Sequence, residues 1–184
     1  MGGLSIYEII FYGDSRKEMP LICKIKDGVE CEKLKECKMY SNNIELEIVQ
    51  KGDCDSFVKN TDKLLIIDKR TKGVLESLNI DSIQYVPTKI NDMDYYIINV
   101  LSLISSSLDM EKSQYMIYPN DFPNARVRGR IGTIWKVVLL RNKICEHIFR
   151  IEEYRNAIFV DEYFKNIIEQ YGFSGLDFQR VELS

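Results

Sequence analysis

Short apolar runs separated by polar, turn-forming stretches dominate this chain, a pattern of strands more than of long helices. Ser5 to Tyr12 is aromatic and β-branched and reads as a strand. Pro20 to Ile25 is a second, shorter candidate. Lys26 to Asn43 is charged and weakly patterned, which predicts a loop with a turn at Asp27-Gly28. Ile44-Glu-Leu-Glu-Ile-Val49 alternates apolar and acidic residues, as a half-buried strand with one solvated face would, and Lys51-Gly52-Asp53 ends it.

The pattern firms from Leu64. Leu64-Leu-Ile-Ile67 reads as a buried strand or the entry to a helix. Val74, Leu75, Leu78 and Ile80 supply helical spacing over residues 69–79, with Asp68 as the N-cap. Ser82 to Ile90 alternates, and Pro87 places it at a sheet edge or strand end. Tyr95 to Leu101 is a strong strand, Ser102 to Glu111 a polar connection, and Tyr115 to Tyr118 one more strand. Pro119 to Gly132, rich in proline, glycine and asparagine, is a loop, and Ile134 to Leu140 reads as a core strand. Asn156 to Val160 is a short strand, Asp161 caps a helix over residues 161–171, and a strand closes the sequence. Phe178 is its surest core member. The fold class expected is α+β, a mostly antiparallel sheet with two main helices at about 69–79 and 161–171.

Composition narrows the function more than the fold. A chain of 184 residues suits one domain, or one domain with a small N-terminal subdomain. A net charge of -3 excludes a generally basic nucleic-acid binder but not a local basic patch. No stretch approaches the ~20 apolar residues of a membrane helix, and no secretory or myristoylation signal opens the sequence, so a cytoplasmic protein is expected. Cys23, Cys31, Cys37, Cys54 and Cys145 read as reduced thiols. The gap between Cys31 and Cys37 is wider than a zinc knuckle uses, so neither metal nor cofactor is expected.

The search for chemistry yields little. His147 is the one histidine, and with Cys145 two residues away on the same strand face it is poorly placed for a relay. Asp92-Met-Asp94 has the form of a cation-holding pair but precedes a strand, where a turn also favours aspartate. Asp14 with Glu36-Cys-Lys38 fits a nuclease-type spacing that arises readily by chance. Arg126-Val-Arg-Gly-Arg130 stands out. If extended, its three arginines share one side, and planar guanidinium forks suit carboxylates or phosphates. Phe122 and Trp135 flank it, whereas Tyr95, Tyr96, Tyr115 and Tyr118 read as half in the core.

Five pieces, in order, resemble immunity family eleven of bacterial polymorphic-toxin systems. They are the helix Lys69 to Leu78, the strand with Gln84-Tyr-Val-Pro87, Tyr95 to Leu101, Leu108 to Ser113, and the segment from His147 to Val181. The resemblance covers about residues 64–183, which makes 64–184 the family-like α+β domain and 1–63 a variable, β-rich part of the same domain or a small subdomain. It implies a non-enzymatic protein that binds a cognate toxin domain by occlusion, with no cofactor, nucleic acid or membrane as partner. A homodimer stays open. The toxin-binding residues expected are Phe122, Arg126, Arg128, Arg130 and Trp135. The alternative is a metal-dependent enzyme acting on nucleic acid or nucleotide, with the arginines on phosphate and Asp92 or Asp94 on metal.

Overall fold

The computed structural model describes residues 4–11 and 19–184. Tyr12, at the end of the first expected strand, Asp14 and the opening residues 1–3 lie outside them. The chain runs β1 (Ile6–Ile10), β2 (Ile22–Ile25), α1 (Gly28–Leu34), β3 (Leu46–Gln50), β4 (Phe57–Asn60), β5 (Leu65–Asp68) and α2 (Lys69–Ser77). It continues through β6 (Ile83–Ile90), β7 (Met93–Val100), β8 (Leu103–Ile104), β9 (Gln114–Ile117), β10 (Ile131–Lys136) and β11 (Val138–Leu139). The last elements are β12 (Ile148–Ile151), β13 (Tyr154–Asp161), α3 (Glu162–Gln170) and β14 (Asp177–Leu183).

Two six-stranded sheets and a two-stranded ribbon result. One sheet has the order β11-β14-β1-β13-β12-β8, the other β3-β2-β4-β5-β7-β6, and β9 pairs with β10 alone. The protein is therefore β-rich α+β, but the expectation of one mostly antiparallel sheet with two helices is corrected. Both large sheets are mixed: β11 runs parallel to β14, β12 to β8, and β2 to β4. Each parallel pair is separated in sequence by further elements, and a long connection is what parallel pairing needs. Three α-helices are described. The added one, α1, starts where a turn was expected: the Asp27 carboxylate accepts from the Val29 N–H at 2.9 Å as an N-cap. Its buried face is Cys31 and Leu34, three residues apart.

Three apolar cores alternate with the two sheets. In β13, Ala157 and Phe159 face one core while Ile158 and Val160 face another, so the strand is buried on both sides. That explains its unbroken apolar run. The core shared by the two sheets joins Ile9, Ile158 and Val160 of the first to Leu65, Ile67 and Ile98 of the second, with Leu75 of α2 and Phe164 of α3. The outer core of the second sheet adds Cys31 and Leu34 of α1 to Val58, Ile66 and Ile97.

Local signals account for the remaining joints. The Asp68 carboxylate caps α2 by accepting from Thr71 N–H at 2.6 Å, and the Asp161 carboxylate caps α3 by accepting from Phe164 N–H at 2.9 Å. Asn91 and Asp92, both in the left-handed region, form the two-residue turn between β6 and β7. β6 is an edge strand, so the donor that Pro87 lacks is not missed there. Arg150, 1% exposed, donates from Nη1 to the carbonyl oxygens of Arg155 and Ala157 at 2.6 and 3.3 Å.

Two expected core positions move. Ile134 to Leu140 is not one core strand but two pieces. Ile131 and Ile134 pack inward from β10, Trp135 and Lys136 are exposed, and only Val138 and Leu139 of β11 are fully buried. In β14, Val181 is buried whereas Phe178 is half-buried. Val181 points into the outer core of the first sheet, and Phe178 only borders the core between the sheets.

Candidate functional site

Of the five residues of the expected contact site, Trp135 lies in β10, Arg130 directly precedes it, and Phe122, Arg126 and Arg128 lie in the loop that joins β9 to β10. The register of the β9–β10 ribbon runs from Lys136↔Gln114 to Ile131↔Ile117, with irregularities between Ile131 and Thr133 and between Ile134 and Lys136. Such bulges twist a ribbon and re-aim its side chains. Trp135 sits in the second of them and is 67% exposed. The base of the ribbon is held firmly. The Val138 N–H donates to Ser113 Oγ at 3.0 Å, Asp109 N–H donates to the Val138 carbonyl at 2.8 Å, and Lys136 Nζ lies 2.7 Å from a Glu182 carboxylate oxygen.

The loop beyond the ribbon is folded rather than extended. Tyr118 and residues 129–130 exchange backbone bonds, Tyr118 N–H to the Arg130 carbonyl and Gly129 N–H to the Tyr118 carbonyl, both at 2.9 Å. Asn124 starts the turn: its carbonyl accepts from Val127 N–H at 3.2 Å and its side-chain oxygen from Arg126 N–H at 3.1 Å. Gly129 closes the turn at φ +69°, in the left-handed region. The three arginines therefore do not share one side of a strand. Arg128 donates from Nε to the Phe122 carbonyl at 2.6 Å, across the loop. Arg126 and Arg130 are exposed and pair with no acid among the described residues.

Aromatic packing stiffens the same loop. Half-buried Phe122 and Tyr118 hold their ring centroids 4.6 Å apart, and Gly132 leaves the space that Tyr118 fills. Tyr118 belongs to this loop and not to the core. Sequence reasoning thus assigned Tyr118 half to the core and gave Asn124, Gly129 and Gly132 no role beyond marking a loop. Asn-x-x-x-x-Gly in a proline-flanked stretch was a usable turn signal; the ring contact was not readable. Met116 and Ile117 of β9 are exposed as well.

The other candidates form no comparable site. Asp92 lies in the β6–β7 turn and Asp94 in β7, both exposed. Glu36 and Lys38 form an exposed ion pair at 3.2 Å after α1, in a segment that is not itself a strand. No group of three metal-ligating side chains occurs among the described residues. His147 Nδ1 lies 2.7 Å from an Asp161 carboxylate oxygen and its ring packs 4.9 Å from Tyr163, at the start of α3. None of the five cysteines is paired, and Cys23 and Cys31 are buried. Where β3 returns beside β6 without pairing, a groove of ≈ 540 Å³ opens between Leu46, Pro87 and Tyr95. Thr88 Oγ1 bridges it by donating to the Ile44 carbonyl at 2.8 Å.

No helix among the described residues is long and apolar enough to cross a membrane. No curated protein matches the chain. The Immunity protein family (Imm11) matches residues 24–182, from β2 to β14, and the chain belongs to that family.

Proposed function

We propose that this immunity protein neutralises its toxin domain in the cytoplasm by occlusion, one folded surface covering another, without catalysis of its own. The contact is the β9–β10 ribbon with its loop, through Phe122, Arg126, Arg128, Arg130 and Trp135. The observation that carries this reading is a braced, exposed loop that presents guanidinium groups and leads into a protruding indole. Arginine and tryptophan are the side chains most often found as strong anchors in protein interfaces. An interface of ~1,600 Å² would reach well beyond the loop itself. In this reading the segment before Leu64 acts with the rest as one unit, a view supported by Ile9 and Phe57 packing in the core between the sheets.

Membership of the family accounts for the toxin partner, and nothing in the geometry favours the metal-dependent enzyme. The test is co-purification with the toxin domain whose gene adjoins this one, followed by titration. Replacing Arg126, Arg128 and Arg130 together by Ala is expected to weaken binding more than about tenfold while leaving the fold intact. Full affinity in that variant would move the contact elsewhere, first to the groove between β3 and β6.

A further inference from the structure

The loop beyond β9 divides its three arginines into two roles. Arg128 has its Nε engaged by the Phe122 carbonyl, which ties the two arms of the loop together. Arg126 and Arg130 stand on either side of that tie with no ion pair among the described residues. Elsewhere the chain pairs its surface cations where an acid is near: Lys24 with Glu47, Lys26 with Glu45, Lys72 with Glu76 and Lys165 with Glu169. Asp121, in the same loop, makes no such pair with either arginine. Two cations thus have no acid partner among the described residues of a protein whose overall charge is negative.

We propose that Arg126 and Arg130 are the charged anchors of the toxin contact, that Arg128 is a positioning residue, and that the face of the toxin they meet is acidic. This rests on the reading of the ribbon as the toxin contact. The complementarity is chemical. A guanidinium offers a planar fork of donors that a carboxylate accepts bidentately, and a cation without an internal partner loses no existing bond on docking. Nucleic acid is the weaker candidate. Two or three arginines neutralise few phosphates, and the acidic body repels a polyanion at longer range. Exposed Met116, Ile117 and Trp135 on the same ribbon favour a protein surface with apolar area beside its acids.

Binding of the adjoining-gene toxin domain is to be measured by calorimetry for the wild-type chain, R126E/R130E, R126K/R130K and R128K, at low and high salt. A duplex DNA of about two helical turns serves as a second probe, and circular dichroism checks each fold. Charge reversal in R126E/R130E is expected to weaken toxin binding about a hundredfold or more, and R126K/R130K about three- to tenfold. R128K, which lacks the Nε donor, is expected to lose only several-fold and to keep the wild-type salt dependence, because its charge is retained. Toxin bound equally by wild type and R126E/R130E would overturn the acidic-face proposal and leave the immunity reading standing. Failure of the wild-type chain to bind the toxin at all would overturn both. Duplex DNA held more tightly than the toxin, and released by R126E/R130E, would reassign the arginines to phosphate.

Discussion

Gly132 lies directly beneath the ring of Tyr118: a Cβ placed there would come within 2.7 Å of the Tyr118 Cε2. No side chain fits without moving that ring, and the ring in turn packs on Phe122 at 4.6 Å. The contact couples a strand residue of β10 to the geometry of the arginine loop. Gly132→Ala is therefore expected to displace Tyr118, loosen the loop and weaken toxin binding by about three- to tenfold, since ordering lost before docking must be restored during it. Because the displaced ring belongs to the loop and to none of the three cores, the thermal midpoint should shift by only about a few degrees. Calorimetric titration together with a melt separates the two effects, and unchanged affinity would argue that the loop is set by its backbone turn alone.

Core substitutions should rank by burial and not by ring size. Phe149 and Phe159 are fully buried and stack at 5.6 Å, so Phe159→Ala is expected to cost ~3–5 kcal/mol. Phe178→Ala, at a half-buried position, should cost clearly less than Phe159→Ala despite the identical chemical change. Urea denaturation midpoints read this ranking, and an equal loss for the two variants would contradict the assignment of Phe178 to the margin of its core.

Asp161 serves two partners from one carboxylate. One oxygen accepts from Phe164 N–H at the start of α3, and the other lies 2.7 Å from His147 Nδ1. Asp161→Ala removes both contacts and is expected to cost ~1–2 kcal/mol. Asp161→Asn keeps a capping acceptor and should lose less, so its own loss measures what the carboxylate charge adds and the difference between the two variants measures the capping acceptor. Chemical denaturation at pH 7 suffices as the readout.

Alkaline pH should destabilise the protein. Burial raises the folded-state pKa of Tyr85 and Tyr95, the latter also donating to Cys54 Sγ at 3.1 Å, and burial pushes the Cys23 thiol up to about 11. Groups with raised pKa contribute stability that is present below their unfolded values, near pH 9 for the thiol and 10 for tyrosine, and lost as pH climbs through the folded values. Arg150 works in the opposite sense. Burial lowers its pKa, so a rise in pH favours the folded state at this one group. One arginine against several hydroxyls and a thiol leaves a net decline. Melting midpoints should fall from pH 9 to 11, and Tyr85→Phe should flatten the fall. A midpoint that held or rose over that range would refute the sign.

The parts of this fold that were legible in the sequence are those decided locally. Asp68 and Asp161 mark helix starts because a capping carboxylate acts within one turn, and the run Asn156 to Val160 announces a strand, though not that both its faces are buried. Pro87 signals an edge because a missing donor has few places to go. Asp27-Gly28 misled for the same local reason, since aspartate before glycine suits a turn and a helix N-terminus alike. Pairing direction was not legible: whether β2 meets β4 in parallel depends on residues far along the chain. The stretch from Pro119 to Gly132 was legible as a loop from its composition, but the alternation Arg126, Arg128, Arg130 assumed an extended backbone. Asn124 and Gly129 bend it instead, and only the folded loop separates a bracing arginine from two open ones.

The position of β1 has a consequence for when protection begins. This strand lies between β13 and β14, with Ile6 opposite both Asp161 and Val181, so its two neighbours are encoded about 150 residues later. A ribosome adding ~5–20 residues per second needs on the order of ten seconds or more to supply them, and until then the hydrophobic edges of β1 have nothing to join. The first sheet cannot close until β13 and β14 have been made, and a nascent or truncated product lacking them has no finished ribbon support. Protection by any one copy therefore waits on the last strand of the sheet, and a chain cut before β14 keeps its opening strand but loses what holds that strand in place.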